Sequence, residues 1–153
     1  KVVGQQVLTV DMAPSILDLC AAPALPKIHG KSWVKLAKDG DPEWRKAWFY
    51  HYNYETQFPY TPNVRAIRTD RWKYIHYPHG DGGADRHMAE LYDLQSDPGE
   101  TRNLIGKTEL AGQVTALQAQ LASLMLATGL NDKTDKMPID DGVKSGLPDA
   151  KIR

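Results

Sequence analysis

The chain has 153 residues, 41% hydrophobic and 25% charged, a balance that suits a folded unit with a real core and excludes wholesale disorder. Lys plus Arg and Asp plus Glu both number 19, so no net field draws the chain to nucleic acid or to an acidic membrane surface. The apolar runs are broken by Pro, Gly or charge short of the ~18 residues a span needs, which predicts no membrane span, and the single cysteine, Cys20, excludes an intrachain disulfide and a cysteine-built zinc site.

From the N-terminus, the β-branched residues of VVGQQVLTV predict a strand or extended arm. Asp11 then stands where it can cap a helix over MAPSILDLCAA, with Pro14 tolerated in the first turn and Cys20 expected as a buried small hydrophobe. Lys1 follows neither an initiator Met nor a charged-then-apolar leader, so the chain is expected to be processed or cut from a longer one. Pro and Gly punctuate 25–45, a connector with at most a helical turn at Trp33 to Ala37.

KAWFYHYNY reads as a strand with Trp48, Tyr50, Tyr52 and Tyr54 on one face and Ala47, Phe49, His51 and Asn53 on the other; Trp48 and Tyr50 are expected to be core. VRAIRT and RWKYIHY, separated by Asp70, predict an antiparallel hairpin, and MAELYDL a further strand. Short connections imply an antiparallel sheet of about four strands, since parallel neighbours need long crossovers. Between Thr108 and Ala127, Leu110, Val114, Leu117, Leu121 and Leu124 recur at steps of three and four, one stripe of a helix that Gly129 can end and that should pack across the sheet. The fold class predicted is α+β, followed from 131 to 153 by a tail that is extended or partly mobile unless a neighbour holds it.

Candidate chemistry is sparse. Ser96, with Pro98 two positions on, imitates a sulfatase nucleophile pattern, but Glu100 stands where that pattern has Arg and would repel both nucleophile and sulfate; Asp97, Pro98 and Gly99 read instead as a β-turn. Cys20 lacks the pattern too, having Ala22 and Ala24 at the Pro and Arg positions. His76, His79 and His87 near Asp81 and Asp85 have the donor types of a metal site, though a Gly-rich loop between them argues for a solvated hairpin tip. The aromatic strand and QFPYTPN are open to two readings, core or a platform for sugar rings, with Tyr54, Phe58 and Tyr60 undecided. Arg65, Arg68, Arg71 and Lys73 suit an anionic ligand, but strand alternation sends Arg65 and Arg68 to opposite faces.

VDMAPSILDLCAAPALPKIHGKSW, VRAIRTDRWKYIHY and ELYDLQSDPGETRNL together resemble, in order and spacing, the C-terminal portion of the type I, formylglycine-dependent sulfatases of the alkaline phosphatase superfamily. The resemblance implies a small C-terminal subdomain, a four-stranded antiparallel sheet crossed by a long helix, with 1–24 belonging to the end of a large α/β domain, 25–45 a connector, 46–130 the subdomain and 131–153 a tail outside the resemblance. It implies that the nucleophile and the calcium ligands lie in a preceding catalytic domain, so that this chain has no catalytic or metal residues and no cofactor of its own, while calcium and formylglycine belong to the parent. The parent is expected to hydrolyse sulfate esters of carbohydrates or aryl compounds, and the chain alone to be inactive. Its partners are then that catalytic domain and the sulfated substrate, in a secreted, periplasmic or lysosomal setting.

By the same resemblance the substrate-facing residues are His51, Asn53, Tyr54, Tyr60, Asn63 and Arg65, with Arg65 placed to pair a carboxylate or second sulfate. A stand-alone module binding sulfated carbohydrate, or the subdomain of a related phosphoester or phosphonate hydrolase, are the competing readings. A free module should hide its apolar surface, whereas a severed subdomain should expose a patch. The apolar Val2 to Val10 segment favours severance.

Overall fold

The structure, a computed structural model, describes residues 2–55, 61–79, 88–131 and 133–138. The chain divides into two compact units, Lys1–Lys46 and Ala47–Arg153.

The first unit is organised by one buried carboxylate. Thr9–Asp11 forms a single 3-10 turn that runs into α1, Met12–Leu19, and a second short helix, α2, spans Val34–Lys38. Asp11 is fully buried, and burial alone would raise its pKa; bonds from the Arg45 guanidinium and from the Leu8 and Lys31 amides outweigh this and hold the carboxyl below its usual range. Asp11 therefore does not cap α1 with its side chain as the sequence suggested; the carboxylate is taken by groups 20 and 34 residues on.

Ser15 extends the same hub, donating to the Asp11 carbonyl at 2.6 Å and accepting the Trp33 amide at 3.1 Å. Gly30 lets the chain pass: a Cβ there would lie 1.9 Å from the Val10 carbonyl oxygen, so only glycine brings the Lys31 amide to Asp11. Of the strand or extended arm expected over 2–10, no strand forms among the described residues, which find no partner strand and turn at Thr9. One expectation is corrected: Cys20 is exposed, since it sits past the end of α1. Along α1, Met12, Ile16 and Leu19 form an i, i+4, i+7 stripe that is exposed, as are Val2, Val7, Val10, Leu25 and Ile28.

The second unit is a four-stranded antiparallel sheet in sequence order, β1 Ala47–Tyr52, β2 Val64–Thr69, β3 Trp72–His76 and β4 Glu90–Asp93, with helix α3, Ala111–Ala127, entered through a 3-10 turn at Thr108–Leu110. The register aligns Phe49, Ile67, Tyr74 and Leu91 in one row across all four strands. Ile67, Tyr74 and Leu91 form the core with Leu117 and Leu121 of α3, and Phe49, Val114 and Leu124 pack at its border.

The covered face of β1 is thus that of Ala47 and Phe49, not that of Trp48 and Tyr50 as expected; Tyr50 is 49% exposed. Alternation separates two faces without saying which one a helix will cover. By length and a mean hydropathy of 1.2, Thr108–Ala127 would suffice to cross a bilayer, contrary to the expectation of broken runs; here Leu117 and Leu121 face the sheet, Gln118 donates to the Tyr74 hydroxyl at 3.0 Å, and Thr115, Gln120 and Ser123 are exposed.

The loop after β4 is stapled back to it. Asn103 Oδ1 accepts the Leu91 and Ile105 amides, and its Nδ2 donates to the Ala89 carbonyl. Ser96 stands in the turn leaving β4, its amide on the Asp93 carbonyl at 3.2 Å, and Glu100 closes the Asp97 to Glu100 turn with φ of +54°. Asp97 to Glu100 is turn chemistry, whereas Asn103 and Leu104 fasten the loop to β4 and Leu104 packs against the core.

Candidate functional site

Beyond the core row, the next register row on the helix-covered face is polar: His51 of β1 opposes Arg65 of β2, which opposes His76 of β3. Two residues further toward the strand ends lie Asn53 and Asn63. A buried charge in such a row is costly unless it is bonded, and Arg65 is; burial and the Arg65 charge both push the His76 pKa down.

Arg65 is 2% exposed and each of its five N–H groups has an acceptor. Nε and Nη2 make a fork on Asp135 Oδ2 and Oδ1 at 3.1 and 2.6 Å, Nη1 donates to the Tyr52 and Val64 carbonyls, both at 2.9 Å, and Nη2 also reaches Asn53 Oδ1 at 2.8 Å. Burial works to raise the Asp135 pKa, but the Arg65 bonds and charge, helped by His51 with Nε2 at 3.7 Å, hold it below the usual range. Asn63, fully buried, accepts the Tyr54 amide at 2.8 Å with Oδ1, which fixes the orientation of its amide group. Its Nδ2 donates to the Pro138 carbonyl at 2.9 Å and to His79 Nδ1 at 3.0 Å, so Nδ1 is the unprotonated nitrogen of that ring.

The structure therefore gathers His51, Asn53, Tyr54, Asn63 and Arg65 at one end of the sheet, while Tyr60 and Phe58 lie outside the described residues. Within that group the roles differ. Arg65, expected to pair a ligand carboxylate or second sulfate, has all five N–H groups engaged by the chain itself, the arrangement of an internal strut. Tyr54 and Asn63 are buried, whereas the His51 side chain is 33% exposed and Asn53 half-buried. An open cleft of about 380 Å³ between the sheet and α3 is lined by Arg65, Tyr74, His76, Gln118, Met125 and Asp135; of the predicted site residues only Arg65 borders it.

Asp135, Pro138 and the Nδ1 role of His79 were missed by sequence reasoning. Asp135 reaches Arg65 across 70 residues, and no local pattern announces such a pair. Of the suggested metal donors, Asp81, Asp85 and His87 lie outside the described residues; among the described residues no three His, Cys, Asp or Glu side chains converge on a metal position.

The other sheet face carries the rows Trp48, Arg68, Lys73, Tyr92 and Tyr50, Ala66, Ile75, Glu90. Arg65 and Arg68 do face opposite sides. This face has a shallow groove of about 320 Å³ lined by Trp48, Tyr50, Ala66, Arg68, Lys73 and Tyr77. Most of its charge is internally matched: Lys73 Nζ meets Glu100 at 2.5 Å, and Glu90 accepts both the Tyr77 and Tyr92 hydroxyls, at 2.6 and 2.5 Å. Burial first, then those bonds to Glu90, pushes both phenols well up. Arg71 forks onto Asp93 from the hairpin turn, and that bond lowers the Asp93 pKa to about 2.

Residues 1–127 match the family model for the C-terminal region of N-sulphoglucosamine sulphohydrolase. The chain belongs to this sulfatase family. An N-acetylglucosamine-6-O-sulfatase of Bacteroides thetaiotaomicron is 33% identical over 135 residues, which cover 84% of this chain and 23% of that protein. Among solved structures, a protein in complex with its substrate D-glucosamine-2-N,6-O-disulfate superposes with a TM-score of 0.67 at 30% identity over 82% of this chain and 25% of the other. The phosphonate monoester hydrolase of Agrobacterium radiobacter shares the fold, with a TM-score of 0.56 at 23% identity over 85% of this chain and 28% of that one.

The chain thus spans about a quarter of the length of the sulfatases it matches. The four-stranded antiparallel sheet with a long C-terminal helix that the resemblance implied is the observed α+β arrangement.

Proposed function

We propose that the chain is the C-terminal subdomain of a sulfatase that removes sulfate from carbohydrate, and that it supplies scaffold and substrate-positioning residues while the nucleophile lies in the remainder of the parent. The observation that carries this reading is the match of 1–127 to a sulfatase C-terminal family together with coverage of only a quarter of each relative. Calcium and formylglycine, general to sulfatases, then belong to that remainder. The exposed stripe of Met12, Ile16 and Leu19, with Val7, Val10, Leu25 and Ile28 around it in sequence, supports the same reading, since a self-sufficient module has no reason to leave so many large apolar side chains of one unit in water.

Within the site, His51 and Asn53 are the residues we propose to meet the substrate beyond its sulfate, by hydrogen bonds to sugar hydroxyls. Arg65, Asn63 and the Tyr54 backbone hold them in place. The test is to assay the chain and its full-length parent side by side on N-acetylglucosamine-6-O-sulfate, a small aryl sulfate and a phosphonate monoester. Sulfate release by the parent and none by the chain is expected. Release by the chain alone, or a parent that cleaves only the phosphonate, overturns the proposal, and tight binding of sulfated glycan by the isolated chain turns it toward a binding module.

A further inference from the structure

The family match ends at residue 127, yet the site is completed by residues beyond it. Gly129, at φ +83°, ends α3, and the Leu130 amide returns to the Met125 carbonyl at 3.0 Å. A compact turn follows. Asn131 Oδ1 accepts the Lys133 amide, Thr134 Oγ1 donates to the Gly129 carbonyl at 2.7 Å and accepts the Asn131 amide, and the Asp135 amide closes on the Asn131 carbonyl at 2.7 Å. The carboxylate of Asp135 is thereby presented at a set place and not at the end of a loose tail.

From that place the arm engages both halves of the site. Asp135 takes the fork of Arg65, whose remaining donors hold the Tyr52 carbonyl and Asn53 Oδ1; Pro138, three residues on, takes Asn63 Nδ2, whose amide oxygen holds the Tyr54 amide. The backbone that leaves β1 with His51 and Asn53 is therefore clamped from two sides by one arm. A guanidinium cannot stay buried with two donors unmet, so loss of the carboxylate must release Arg65 from the carbonyls it orients.

We infer that Asp135 is a positioning residue: the arm that carries Asp135 and Pro138, beyond the end of the family match at 127, sets the geometry of His51 and Asn53 through Arg65 and Asn63, and so tunes which sulfated saccharide the parent accepts. This rests on the functional reading proposed above. It makes the arm a specificity element, and it explains why a tail rich in Gly, Pro and charge is nonetheless fastened to a buried arginine.

The test uses the full-length parent with Asp135→Asn, Asp135→Glu and, as a control on an exposed neighbour, Lys136→Ala. Two quantities are read: hydrogen exchange of the Tyr54 amide, and KM against kcat on N-acetylglucosamine-6-O-sulfate. For D135N, faster Tyr54 exchange is expected together with a KM raised by roughly tenfold to a hundredfold, the factor that a lost charge-assisted hydrogen bond carries, while kcat moves by about twofold or less. D135E, which keeps the charge, recovers most of both, and K136A matches the wild type. If D135N does not fold, D135E carries the same readouts, with a smaller rise in KM.

Unchanged Tyr54 exchange overturns the clamp, and a KM that stays put while exchange quickens overturns its role in specificity, as does a loss confined to kcat. A wild-type parent that hydrolyses no sulfate ester refutes the functional reading instead, and the exchange comparison then still decides the clamp.

Discussion

Replacing Arg65 by Met keeps the stem and removes the five donors, which separates the two roles an arginine at this position can have. If the side chain were waiting for a ligand anion, the substitution would cost little folding stability. The geometry requires the opposite. Side chains of Arg65 and Asp135 are 3% and 11% exposed, so the pair is nearly dry. Removing one member of such a pair costs about 3–5 kcal/mol, because the other is left as an uncompensated buried charge.

The Tyr52 and Val64 carbonyls and Asn53 Oδ1 also lose a donor, at up to about 1–3 kcal/mol each where water cannot replace it. These terms are not additive, since all belong to one network, and Asp135 can escape to water if its arm detaches. The lower end, about 3 kcal/mol, is therefore the expected loss, a large share of the roughly 5–15 kcal/mol by which a domain is stable. Urea unfolding of the chain, followed by tryptophan fluorescence, reads it as a lowered midpoint at constant slope. Arg65→Met combined with Asp135→Leu should regain most of the loss, because replacing both charges by apolar groups removes the desolvation cost as well as the bond. A single-variant loss below about 1 kcal/mol, the value of a solvated pair, would refute the strut and return Arg65 to the list of ligand contacts.

Two further outcomes follow from the same structure. Leu117, 2% exposed among core residues, and Leu126, 63% exposed on the same helix, should part company on truncation: about 2–5 kcal/mol for Leu117→Ala and within about 0.5 kcal/mol for Leu126→Ala, with equal losses in urea unfolding disproving the assigned helix face. Acid should destabilise the chain. Asp11, Asp93 and Asp135 all have folded-state pKa values below their unfolded ones, Asp93 at about 2, so their contribution is in full force above the unfolded carboxylate range near ~4 and is lost as pH falls through the folded values. A thermal midpoint measured from pH 7 downward should hold to about pH 5 and then decline; a midpoint that rises between about pH 5 and 3 contradicts the sign.

Much of this protein was decided by local pattern. The alternation in KAWFYHYNY, VRAIRT and RWKYIHY and the leucine stripe from Leu110 to Leu124 are consequences of periods of two and 3.6 residues, which the backbone imposes wherever a chain is extended or helical. Short connections left antiparallel pairing as the one economical arrangement, and Ser96 was legible as turn chemistry because Asp-Pro-Gly dictates its own backbone angles. The family itself was legible in VDMAPSILDLCAAPALPKIHGKSW, VRAIRTDRWKYIHY and ELYDLQSDPGETRNL, all of which lie within the matched residues 1–127.

What local pattern could not contain was the identity of partners far apart in the chain. Alternation divides Trp48 and Tyr50 from Phe49, but only register against Ile67, Tyr74 and Leu91 and the placement of α3 determine that Phe49 lies inside. Asp11 reads as a helix cap until Lys31 and Arg45 arrive from 20 and 34 residues away, and Arg65 reads as a free cation until Asp135 meets it from 70. In each case a charge in sequence is only a demand for compensation; desolvation sets the size of that demand, and the tertiary fold alone determines which group meets it.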